Sequence, residues 1–168
     1  MGKITFGSQV YTWFMQGTGK GYDNKLDHMI KVAAEAGFTG IEPMVLEISE
    51  SALGCGKYWL GDFCDPKRLK DVLDEHNMKL AGLALVCAWD GETEAPNEKA
   101  AADFTLDFIK HFPGSMLGTV TLPSGRKDNL QSRRLNIAKN VNAVSKRAAD
   151  LGIKCSYHPN SQIGRAHV

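Results

Sequence analysis

The chain has 168 residues, 43% of them hydrophobic and 23% charged, the balance of one globular domain rather than of a disordered segment. A formal net charge of +1 supplies no broad basic field for gripping phosphate backbones, which argues against general nucleic-acid binding. The four cysteines, Cys55, Cys64, Cys87 and Cys155, include no CxxC pair and read as reduced thiols rather than as a structural zinc site.

The first residues, Met1-Gly2-Lys3-Ile4-Thr5-Phe6, run into a strand pattern without an apolar signal core, and no stretch is long enough to span a bilayer, so a cytoplasmic location is expected. Strand patterns at 3–9, 38–44, 79–87, 116–122 and 153–158 alternate with helical ones. Leu26, Met29, Ile30 and Ala33 give the first helix its apolar stripe, and Gly37 suits the left-handed cap that ends it. Leu69, Val72, Leu73 and His76 repeat that spacing behind Asp65-Pro66, an N-cap followed by a proline in the first turn, with Asn77 as the stop. A third helix carries Ala101, Phe104 and Phe108 and breaks at Pro113-Gly114. A fourth carries Val141, Val144, Ala148 and Leu151 and ends at Gly152.

Runs such as Leu80-Ala81-Gly82-Leu83-Ala84-Leu85-Val86 are apolar on both faces, as parallel strands covered by helices require. Two closures fit, an open doubly wound sheet or part of an eightfold barrel. The glycine-rich loop at Gly17-Thr18-Gly19-Lys20-Gly21 lacks both the Walker spacing and the dinucleotide-binding pattern and reads as a βα loop. In two places, Ile41-Glu42-Pro43 and Tyr157-His158-Pro159, an apolar strand delivers an ionisable residue and then a proline. Proline cannot continue a central ladder, so Glu42 and His158 are expected at the C-terminal mouths of their strands, where parallel α/β folds do their chemistry. Gln9, Trp89 and Ser124 are expected at the same end.

Three stretches carry a resemblance: Ser8-Gln9-Val10-Tyr11-Thr12-Trp13, Ala36-Gly37-Phe38-Thr39-Gly40-Ile41-Glu42, and Gly152-Ile153-Lys154-Cys155-Ser156-Tyr157-His158-Pro159-Asn160. Together they resemble the sugar phosphate isomerase/epimerase superfamily, whose members share the xylose isomerase-like TIM barrel. The resemblance implies a partial (β/α)8 barrel with about five strands and four helices. It also implies a divalent metal, Mn, Co or Mg, that stabilises the charge created when a proton leaves a carbon beside a carbonyl. Family members draw metal ligands from the fifth to eighth strands, so most of the ligand set would lie beyond this sequence. The last six residues, Ile163-Gly164-Arg165-Ala166-His167-Val168, are what ATC GGA AGA GCA CAC GTC encodes, a string similar to the start of a widely used sequencing adapter. Residues 1–162 are therefore read as the N-terminal part of one barrel and 163–168 as a non-native tail.

Within that frame Glu42 either reaches substrate or anchors the amides of the next loop. His158 occupies a position where relatives place a glutamate or histidine ligand, and it either contacts metal or substrate or supports a ligand from behind. Asn160 is a donor to sugar hydroxyls or a turn former, Trp89 walls a sugar ring or packs in the core, and Ser124 and Arg126 contact substrate or lie in a solvated loop. His28, His76 and His111, and the charge runs Lys67-Arg68 and Arg133-Arg134, read as structural. The expected activity is metal-dependent isomerisation or epimerisation of a small sugar or sugar phosphate, with a dehydratase-type lyase or a non-catalytic sugar-binding fragment as alternatives. Oligomers are possible, no membrane partner is expected, and the fragment alone is expected to be inactive and to aggregate or oligomerise.

Overall fold

A computed structural model of the protein describes residues 6–16, 25–46, 57–122 and 128–158. The described strand segments all pair in parallel: β1 (Gly7–Gln9), β2 (Gly40–Glu42), β3 (Met44–Leu46), β4 (Lys79–Leu80), β5 (Gly82–Cys87), β6 (Met116–Thr121) and β7 (Lys154–His158). Hydrogen bonding gives the orders β1-β2-β4 and β3-β5-β6-β7. Two bonds join these into one curved wall, Ala81 N–H to Ile41 O at 2.9 Å and Ala84 N–H to Pro43 O at 2.9 Å. β2 and β3 are thus one strand interrupted at Pro43, and β4 and β5 one strand interrupted at Ala81. The five expected strands are present in sequential order.

Helices α1 (Tyr11–Gln16), α2 (Leu26–Glu35), α3 (Pro66–Glu75), α4 (Pro96–Ile109) and α5 (Leu130–Asp150) fill the connections, with 3-10 turns at Lys57–Trp59 and Gly61–Cys64. The expected stripe of α2 is its buried face, Leu26, Met29, Ile30 and Ala33, and Gly37 closes the helix at φ +88°. Asp65 caps α3 by accepting from Lys67 N–H at 2.9 Å, with Pro66 behind it, and Asn77 takes φ 53° after the last turn. Phe104 and Phe108 on α4 and Phe112 just past its end pack ring against ring at four-residue spacing, and Tyr58 extends the series. Leu151 departs from expectation: it lies past the end of α5 and is exposed, while Val141, Val144 and Ala148 form the buried stripe. The short α1 has no counterpart in the sequence reading.

Alternation along the strands separates two faces. Ile41, Val45, Leu83, Leu85, Leu117 and Thr119 point outward and are fully buried beneath the helices. The opposite face is concave and forms the lumen wall. Register assigns Gln9, Glu42, Gly82, Ala84, Gly118, Ser156 and His158 to it.

Candidate functional site

Glu42 occupies the lumen rather than the mouth of its strand. Proline at 43 was expected to end the ladder, but the chain resumes as β3, and Pro43 contributes its carbonyl, the one hydrogen-bonding group proline retains. The carboxylate therefore stands short of the strand's C-terminal end. Its place is shaped by a bulge. Ile41 pairs with Leu80 and Met44 with Ala84, so two residues, 42 and 43, face three, 81 to 83. Ala81 and Gly82 together oppose Glu42, and a bulge of this kind re-aims the neighbouring side chain. Glu42 reaches across the wall: a Cβ on Gly82 would lie 3.7 Å from its Oε1, and a Cβ on Gly118, one strand further, only 3.3 Å away.

Gln9 stands beside Glu42 in register on β1. Its Oε1 accepts from Tyr11 N–H at 3.2 Å, so the side-chain carbonyl starts α1. On β7, His158 pairs with Val120 and Ser156 with Gly118, which puts both on the lumen face. Burial pushes the Glu42 carboxyl above its ordinary value of 4.5, and the charge of His158 pulls it partly back. Glu42 and His158, derived from similar sequence contexts, thus meet across one concave surface.

Trp89 does not line that surface. Its ring is completely buried, its Nε1–H donates to Val120 O at 3.1 Å, and no face is left for a sugar. This burial fits the core reading of the residue. Its backbone takes φ 59° and is fixed from both sides: its N–H donates to Glu98 Oε1 at 2.6 Å, and its carbonyl accepts from Asn140 Nδ2 at 2.9 Å. Asp90, next along, is held by Arg133 through Nε at 2.9 Å and a second guanidinium nitrogen at 2.7 Å. Arg133 is therefore a nearly buried partner of the loop, in keeping with the structural reading of its charge run. Ser124, Arg126 and Asn160, like Cys55, the glycine-rich loop and residues 159–168, lie outside the described residues.

Gly82 and Gly118 were not singled out from the sequence, although an isolated glycine within a strand pattern signals a bulge or a close approach. Among the described residues, no group of three or more His, Cys, Asp or Glu side chains is placed to hold a metal ion, and no helix is long and apolar enough to cross a membrane.

No protein-family model matches the chain, and no curated protein matches it. Solved structures do. One is described as the probable 3-DHS dehydratase AsbF involved in petrobactin synthesis from Bacillus anthracis, at TM-score 0.59 and 15% identity, covering 94% of this chain and 53% of that one. Another is a D-tagatose 3-epimerase-like protein, at TM-score 0.56 and 13% identity, covering 92% of this chain and 52% of that one. The chain spans about half the length of each. At such identities the likeness is one of fold, and the fold is the TIM barrel that the resemblance implies, present in part.

Proposed function

We propose that these residues belong to an enzyme that isomerises or epimerises a small sugar or sugar phosphate by moving a proton at a carbon beside a carbonyl. The supporting observation is Glu42. It is the one carboxylate among the described lumen positions, and burial raises its affinity for a proton, which suits a group that takes a proton and returns it. In this scheme the carboxylate removes the carbon-bound proton, and the bonding pair moves onto the carbonyl oxygen to give an enediolate. Return of the proton to the adjacent carbon, with transfer of a hydroxyl proton, yields the isomer; delivery of a proton to the opposite face of the same carbon, by a second acid from outside the described residues, yields the epimer. His158, facing the same lumen, offers either an N–H to the developing oxyanion or, in its place, a ring nitrogen to a metal.

A dehydratase is the second reading, supported by the similarity to a probable dehydratase. Its first step is the same, and the hydroxyl on the next carbon then leaves with a proton as water. The divalent metal that the resemblance implies would stabilise the same negative charge. The described residues do not build such a centre. His158 is the proposed ligand here, the remaining donors would have to come from residues outside the described set, and no step above passes through the ion.

The test is exchange of the substrate's carbon-bound hydrogen with deuterated solvent, run with a panel of small ketoses and their phosphates on the complete gene product that carries these residues. Glu42→Gln is expected to slow exchange by about a hundredfold or more at unchanged melting temperature, the usual worth of a positioned acid-base group. Undiminished exchange in that variant refutes the assignment.

A further inference from the structure

We infer that Gly118 is a positioning residue, forming with the bulge at Ala81 and Gly82 a socket that aims the Glu42 carboxylate across the lumen toward β7. The inference deepens the reading of Glu42 as a reacting group, but its geometry stands apart from that reading. Gly118 lies mid-strand, paired between Ala84 and Ser156, and its φ is not in the left-handed region. The backbone there does not require glycine, and glycine inside a strand is less stable than alanine. A Cβ at 118 would meet Leu83 O at 3.7 Å and Ala84 Cα at 3.9 Å, both ordinary contacts. The tight approach is to Glu42 Oε1, at 3.3 Å.

Gly82 shows what a backbone requirement looks like: a Cβ there would sit 2.6 Å from Met116 O. The two glycines therefore answer different constraints. Gly82 lets the β6 backbone approach β5 beside the bulge, whereas Gly118 leaves room for a carboxylate. The groups facing Glu42 are Gln9 on β1, the non-titrating Ala81 and Gly82 where β4 gives way to β5, Gly118 on β6 and His158 on β7. The electrostatic influence of His158 on Glu42 fits a carboxylate aimed that way.

The test compares Gly118→Ala with Gly82→Ala in the complete gene product that carries these residues, using two readouts. First, the Glu42 carboxyl is titrated by carbon NMR with labelled glutamate. Gly118→Ala is expected to move its midpoint down toward 4.5, as the displaced carboxylate gains water. Second, urea unfolding is measured in the wild-type and Glu42→Ala backgrounds. Gly118→Ala is expected to destabilise the first and leave the second unchanged or more stable, while Gly82→Ala destabilises both. An unmoved titration, or an equal loss from Gly118→Ala in both backgrounds, overturns the socket. If Gly118→Ala alone does not fold, recovery of folding in Glu42→Ala/Gly118→Ala supports it and failure to recover overturns it. A confirmed socket together with full exchange activity in Glu42→Gln would retain the socket and refute the proposed reaction. The opposite pair of results would refute the socket alone.

Discussion

The two ends of β5 are finished by opposite means. Beyond its C-terminal end, the loop at 89–95 is held by side chains. Glu98 accepts from Trp89 N–H and from Ala95 N–H at 2.9 Å, while Asn140 donates to Trp89 O and Gly91 O, both at 2.9 Å. Asn136 adds a bond to Asp90 O, Lys139 one to Glu92 O, and Arg147 an ion pair with Glu94 at 2.7 Å. Arg133, Asn140 and Arg147 recur every seven residues, so one stripe of α5 carries much of this contact. At the N-terminal end of β5, by contrast, Gly82, Ala81 and Gly118 remove side chains around a single carboxylate. The loop's left-handed residue persists because many bonds over-determine it, as strained backbone requires. A loop bound by many side chains and a carboxylate set among glycines thereby mark the two ends of one strand.

If that separation is real, the largest stability loss comes from the loop end. Glu98→Ala removes the acceptor of two backbone N–H groups, one of them fully buried, and each donor left unpaired costs about 1–3 kcal/mol. A total near 3 kcal/mol is expected, read as a shift in the urea midpoint at constant slope. Glu98→Gln, which keeps one acceptor, should lose less. A loss below about 1 kcal/mol for Glu98→Ala would show that the loop is not held as described.

Asn140→Ala probes the same clamp from α5 and should cost less, about 1–2 kcal/mol, because the carbonyls of Trp89 and Gly91 lose a donor but the amides keep Glu98. The double variant with Glu98→Ala sharpens the comparison. Both residues fix the backbone of Trp89, so their effects should be non-additive. Strict additivity would mean that the two bonds act on independent pieces of loop.

The helices were legible because their signals are local. The apolar stripe before Gly37 and the Asp65-Pro66 start each depend on a few residues and hydrogen bonds within one turn. The five strands were legible for a similar reason, since apolar runs between helices leave few alternatives. Glu42 and His158 were found as a pair, but the depth of Glu42 was misread, because Pro43 forbids only a donated bond and the ladder there needs only an acceptor. The bulge is a mismatch between two strands about forty residues apart, and no single segment displays it. Trp89 was ambiguous because an indole after a strand is equally suited to a wall or a core. Its burial is decided by Val120, Glu98 and Asn140, residues distant in sequence. Arg133 was read as structural, but its partner could not be named, as Asp90 lies 43 residues earlier.

The smallest expected effect tests the lumen end through pH. Glu42 has a folded-state pKa above its ordinary 4.5, owing to burial, so the folded protein binds this proton more tightly than the unfolded chain. Its contribution to stability is fully present below pH 4.5 and is lost as pH rises through the folded value. Glu42→Gln carries no such proton. The stability of wild type relative to Glu42→Gln should therefore fall over that window and level off above it. The change should be smaller than either loss above, because water in the open lumen screens the charge. His158 opposes the shift by attraction, so replacing it with Gln should push the Glu42 titration higher and extend the fall to higher pH. Thermal melts across the acid range check both statements. A flat difference would mean that Glu42 is as hydrated in the folded chain as in the unfolded one. A fall that His158→Gln leaves unmoved would mean that the two groups do not share the lumen, and the distinction between the two ends of β5 would then lose its chemical half.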